Sequence, residues 1–142
     1  MLVRCIYASR ANLGPSEGTL DAILAQSRAN NARRGITGLL IHANDVFLQV
    51  LEGGRAPVSE LLGVIMRDER NKDLQILSWE EIGERKFAGW AMGQVNLASL
   101  NPGLLLKYSE TAALNPFGMG GTAALALVLE IAACGAILHR GA

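Results

Sequence analysis

Apolar and polar positions along the chain change period several times, and each change marks an element. Leu2 to Ala8 is a short apolar run rich in β-formers, so a strand is predicted there, closed by the turn residues Asn12-Leu13-Gly14-Pro15. Ser16 is placed to cap a helix, with Glu17 near its positive end. From Thr19 to Ala32 the spacing becomes helical, with Leu20, Ile23, Leu24 and Ser27 on one stripe, and Gly35 ends it. Ile36 to Ile41 predicts a second strand. Ala43-Asn44-Asp45 connects it tightly to a third, Val46 to Glu52, which Gly53-Gly54 breaks. A second helix is predicted from about Pro57, a good first-turn residue, through Leu61, Leu62, Val64 and Ile65 to Arg67. A fourth strand at about Leu74 to Ile82 and a fifth at about Ala88 to Leu97 complete the pattern.

The order βαββαββ predicts a ferredoxin-like α/β (α+β) sandwich, with two helices over one face of a mixed sheet. The third strand is apolar on both sides, with Phe47 and Leu51 on one and Val46, Leu48 and Val50 on the other. Both faces of the sheet must therefore be covered. The C-terminal segment can supply the second cover: Leu104 to Leu114 reads as a short helix, Asn115-Pro116 as a break and Thr122 to Leu138 as a longer helix. A subunit interface there is the alternative. Met119 to Leu138 has the length of a membrane span and one formal charge, Glu130. Its composition favours Ala and Gly over Leu and Ile, and Glu130 at mid-membrane would cost about 2.5–3.5 kcal/mol, so a packed helix is expected.

Composition narrows the function. At 142 residues, half of them hydrophobic, the chain has room for one core and an accessory layer. Thirteen basic and thirteen acidic residues cancel, which gives no electrostatic reason to expect nucleic acid or an anionic membrane as partner. The two cysteines, Cys5 and Cys134, lack metal-ligand spacing, and Cys5 reads as a buried free thiol suited to a reducing cytoplasm. The start, Met1-Leu2-Val3-Arg4-Cys5, has no signal-peptide pattern.

Three uncharged polar residues occupy positions that the pattern assigns to core. Asn31 follows Leu20 by eleven residues, which at about 100° per residue returns it to the inward stripe. Gln49 alternates with Phe47 and Leu51, and Tyr7 shares a face with Val3 and Cys5. Two amides and a phenol offer donors and acceptors side by side, a set that suits the edge of a planar heteroaromatic ligand. Each residue also has an ordinary reading: a helix-end Asn bonding loop backbone, an edge-strand Gln, a core Tyr with its hydroxyl at the surface. The set contains no general acid or base and no metal cluster, and His42 and His139 stand alone.

Four words then stand in order: Ile6-Tyr7-Ala8-Ser9-Arg10, Asn30-Asn31-Ala32-Arg33-Arg34-Gly35-Ile36-Thr37-Gly38, Phe47-Leu48-Gln49-Val50-Leu51-Glu52-Gly53 and Arg85-Lys86-Phe87-Ala88-Gly89-Trp90-Ala91-Met92-Gly93. Together they resemble the BLUF domains, blue-light sensors using FAD, over about Leu2 to Leu97. The C-terminal extension is similar to that of short, stand-alone members without an enzymatic output domain. The resemblance implies a flavin-binding photosensor over residues 1–97 and a helical cap or output extension over 98–142. It implies FAD, with FMN or riboflavin as substitutes, inserted by its ring between the two helices.

By position, the resemblance makes Tyr7 the electron and proton donor, and makes Gln49 the bridge between that phenol and the flavin ring. Gln49 would change its hydrogen bonds by rotation, tautomerisation or both, leaving a small red shift that recovers in the dark. Asn31 would bond the ring's carbonyl and imide edge with Asn30 flanking it, and Ser9 would support the network. Asp68 and Arg70, from Asp68-Glu69-Arg70-Asn71, would face the flavin's polar side or ribityl chain. Asn71 stands where the family has histidine and is left out of the site. Trp90 and Met92 on the fifth strand would relay the signal to the C-terminal helices and on to a downstream protein partner. A homodimer or higher homo-oligomer, a cytoplasmic location and no catalytic turnover are further expectations. The rivals are a ligand-free interaction module and a small acyl-phosphate hydrolase, for which Gly14-Pro15-Ser16 is a poor anion loop and Gly53-Gly54 reads as a strand-ending turn.

Overall fold

The computed structural model describes residues 1–12, 18–43, 45–96 and 102–133 of the chain. The elements run β1 (Leu2–Ala11), α1 (Gly18–Arg34), β2 (Thr37–Ala43), β3 (Val46–Gly54), α2 (Arg55–Arg67), β4 (Asn71–Ile82), β5 (Gly93–Asn96), α3 (Pro102–Tyr108) and α4 (Gly121–Ala133). The five strands form one sheet in the order β4-β1-β3-β2-β5. All neighbours are antiparallel except β2 and β5, which run parallel. This is the ferredoxin-like arrangement that the element order predicts, with a fifth strand added beside β2.

The sheet carries a core on each face because its strands are apolar at both parities. On the α1/α2 side, Val3, Cys5, Tyr7, Leu40, Phe47 and Leu51 pack with Val58 and Leu62 of α2. On the other side, Ile6, Leu39, Ile41, Leu48 and Val50 pack beneath α4, whose Ala124, Leu127, Val128 and Ile131 are fully buried. The expected second cover is therefore this chain's own C-terminal segment. Among the described residues no helix is long and apolar enough to cross a membrane.

Boundaries moved where local chemistry overrode periodicity. Helix α1 extends to Arg34 and ends in a Schellman motif: Gly35 takes φ 69°, its N–H bonds Ala32 O, and Ile36 N–H bonds Asn31 O at 2.9 Å. Strand β4 begins at Asn71, earlier than Leu74, with Asp73 at φ 54°. The first C-terminal helix stops at Tyr108, and Pro116–Gly118 forms a single 3-10 turn before α4.

The fifth strand is the largest correction. It starts at Gly93, because residues 87–90 close a turn in which Trp90 N–H bonds Phe87 O. The predicted turn and cap at Leu13 to Glu17, Asn44, the strand end at Leu97, and Cys134, His139 and the helix to Leu138 fall outside the described residues, as do the side chains of Leu20, Ile23 and Leu24.

Candidate functional site

Strand register builds the floor of the site. Tyr7 stands opposite Gln49 across β1 and β3, and Gln49 stands opposite Leu40 across β3 and β2. The three side chains therefore form one row on the α1/α2 face. The Tyr7 hydroxyl donates to Gln49 Oε1, and Gln49 Nε2 donates to Met92 Sδ at 3.2 Å. Both amide ends of Gln49 are thereby occupied inside the core, where an unpaired amide would cost about 1–3 kcal/mol. Burial pushes the Tyr7 phenol above its ordinary range, with the charges of Cys5 and Asp68 adding to it, so the hydroxyl remains a donor at neutral pH.

Above this row lies a cleft with a cavity volume of about 130 Å³, open to solvent at its mouth. Helix α1 lines it with Gln26, Ser27, Asn30 and Asn31, and α2 lines it with Leu61, Val64 and Ile65. Asp68, Arg70 and Asn71 line it from the turn into β4. Asn31 is fixed by the Schellman motif in the last turn of α1, 1 % exposed, and its Oδ1 is buried with no hydrogen-bond partner among the described residues. An orphan acceptor facing an apolar α2 wall, over a floor that includes Leu40 and Phe47, fits a planar ring carrying an N–H on its edge, such as the imide of a flavin. Asn30 is half-buried, and its Oδ1 accepts from Arg33.

Asp68 and Arg70 close on each other before they meet anything else. Asp68 accepts from the Arg70 backbone N–H at 2.9 Å and from Arg70 Nη2 at 2.6 Å. That bond holds the Asp68 carboxyl below its ordinary value and raises the guanidinium. The pair gives the mouth of the cleft a rigid, charge-balanced polar edge. Asn71, left out on sequence grounds, lines the cleft and accepts from Ser9 Oγ at 3.0 Å. Its departure from histidine was legible; its place was not, because β4 starts three residues early.

The structure separates Trp90 from Met92. Met92 is fully buried in the α1/α2-side core, against Gln49. Trp90 precedes the strand and packs with the opposite core, under the C-terminal helices. Its ring lies against Gly93, where an added Cβ would come within 2.9 Å of it. Residues one apart along an extended chain point to opposite faces, and the bend at Ala91 and Met92 reproduces that separation for residues two apart. A buried ion pair also escaped the sequence reading. Arg4 Nε bonds Glu52 at 2.8 Å, and Glu52 accepts the backbone N–H groups of Lys86 and Phe87, the latter at 2.7 Å. Opposite charges at inward positions of two strands were the available signal, but only register makes Arg4 and Glu52 neighbours.

A ferredoxin-like sheet with a phenol–amide–thioether chain under a flavin-compatible cleft is suited to a small ligand-binding domain. The family model described as sensors of blue-light using FAD matches residues 2–93, and the chain belongs to that BLUF family. That family is one of blue-light flavin sensors. The photoactivated adenylate cyclase subunit beta of Euglena gracilis is 34% identical over 86 residues, 61% of this chain and 10% of the relative. The chain thus spans about a tenth of the length of the curated relatives it matches. Among solved structures, the photo-activated state of BlsA is 30% identical with a TM-score of 0.82, covering 92% of this chain and 94% of that one. The dark state of BlrB, a BLUF protein, is 29% identical with a TM-score of 0.78, covering 94% of this chain and 96% of that one.

Proposed function

We propose that light sensing here operates through the hydrogen-bond chain Tyr7–Gln49–Met92, without net catalytic turnover. Bound in the cleft, FAD supplies the blue absorption and a strongly oxidising excited state. Asn31 would hold the ring edge through its free Oδ1, with Asn30 beside it and the Asp68–Arg70 pair at the polar mouth. Tyr7 holds a proton at Oη and points it at Gln49 Oε1. If the Gln49 amide rotates, its carbonyl end faces Met92 as an acceptor, and a thioether has no proton to give. The Gln49–Met92 bond is then lost, so the state of the amide is coupled mechanically to the start of β5.

From there the readout passes to the C-terminal cover. Trp90 packs against the core cluster to which α3 contributes Leu105 and α4 contributes Leu127 and Ile131, so a shift of the segment before β5 is passed to α3 and α4 through that core. Residues 1–97 act as the sensor and 98–142 as the output cap, whose displacement would expose a surface to a downstream protein or a second copy. A buried, unpaired Cys5 suits work in a reducing cytoplasm.

The observation that carries this reading is the pair of bonds at Gln49. Absorption spectra of the flavin-loaded protein before and after blue light test it. Tyr7→Phe and Gln49→Leu should each retain the flavin and abolish the reversible red shift. A normal red shift in either variant refutes the roles assigned. A colourless protein that added FAD does not restore removes the reading altogether.

A further inference from the structure

We infer that Arg28 is a positioning residue for this site, anchoring Met92 so that its sulfur stays within reach of Gln49; the inference rests on the Gln49–Met92 reading above. Arg28 lies on α1 two residues before Asn30, yet it does not line the cleft. Its Nε crosses to the start of β5 and donates to the backbone carbonyl of Met92 at 3.2 Å. Met92 Sδ in turn accepts from Gln49 Nε2 at 3.2 Å. The flavin-side helix and the photoactive amide thus share one residue, held at its backbone by α1 and at its side chain by β3.

That anchor matters because methionine is a poor holder of its own position. The side chain has three rotatable bonds, and the thioether is a weak acceptor. Ala91 and Met92 form a bend outside the strand and are not paired with β2 residues in the ladder. The neighbouring anchors act on other residues: Gly38 N–H bonds Trp90 O at 2.9 Å, and Glu52 holds Lys86 and Phe87. Arg28 is the described side chain that holds the backbone of Met92. Its Nη2 is buried without a partner among the described residues, so this end of the guanidinium gives up water without a hydrogen bond in return. A group placed at that cost is poorly explained by stability, since an unpaired buried donor works against the fold. Positioning Met92 does explain it.

The test uses FAD-loaded protein with methionine methyls labelled for NMR, the Met92 signal being assigned through Met92→Leu. In the dark, Arg28→Leu should move and broaden the Met92 methyl signal while leaving flavin content unchanged. After blue light its dark recovery should be slower by roughly three- to tenfold, a fraction of what a charge-assisted hydrogen bond is worth, because the Gln49–Met92 bond that must re-form is weakened. Arg28→Lys, which retains a cationic donor, should fall between the parent and Arg28→Leu in both readouts, and carries the test if Arg28→Leu does not fold. An unchanged Met92 signal with parental recovery overturns the inference. So does a loss of flavin from Arg28→Leu, which would make Arg28 a flavin-holding residue. If the parent protein shows no light-induced shift, the photochemical reading falls separately, and the dark methyl signal alone decides the role of Arg28.

Discussion

Asn31 serves two structures at once. Its backbone carbonyl closes the C-terminus of α1, while its side-chain Oδ1 faces the cleft unpaired. The backbone role survives any ordinary substitution; the side-chain role does not. Asn31→Ala should therefore weaken flavin retention by roughly tenfold or more, the worth of one buried hydrogen bond, while the light-induced shift of the remaining holoprotein changes little. The flavin-free protein should keep or gain thermal stability, because an orphan acceptor has been removed. Flavin titration and melting of the apo form separate the two effects. Asn31, Gln49 and Tyr7 were legible as misplaced polar residues from their period alone. Arg28 was not, since nothing in its spacing says that it reaches a carbonyl 64 residues away.

Element by element, β2 and β3 carry the tightest constraint. An added Cβ at Gly38 would lie 2.0 Å from the Val50 carbonyl oxygen, and this atom belongs to the backbone and cannot step aside. The Gly38 N–H also holds Trp90 O, so the position ties strand pairing to the segment before β5. Gly38→Ala should destabilise the fold by about 1–3 kcal/mol in urea unfolding, at the upper end if the strands must part. It should also shift the Trp90 fluorescence, because the Trp90 anchor moves with β2. Sequence patterning found both strands and both helices, since each repeats its period over a full element. It overextended β5, where the apolar residues Phe87, Trp90 and Met92 serve two different cores across a turn and imitate a strand.

Across the whole molecule, burying neutral titratable groups makes stability depend on pH in a predictable sense. Burial pushes the Cys5 thiol from 9.0 up to about 12, and raises the Tyr7 phenol above its usual 10.0. In the unfolded chain both groups lose protons first as pH rises, so the folded state then binds more protons and stability falls with rising pH. Urea unfolding should show a constant midpoint through neutrality and a decline that begins near pH 9, the ordinary thiol value. Cys5→Ala should remove the early part of that decline and leave the later part, due to Tyr7. A parent midpoint that stays flat to pH 11 or so would show that neither group is as sequestered as its burial indicates.

By itself the sequence determined the ferredoxin-like order, the need to cover both sheet faces, and the inward phenol and amides, because these follow from periodicity that every residue in an element shares. Its four ordered words also determined the family. Only the tertiary structure decided which contacts make a working site. Register set Tyr7 beside Gln49, the bend before β5 sent Met92 and Trp90 to opposite cores, and α1 reached across to hold Met92. The physical reason is range: period reports which way a side chain faces, whereas a hydrogen bond between distant strands depends on how the chain closes on itself.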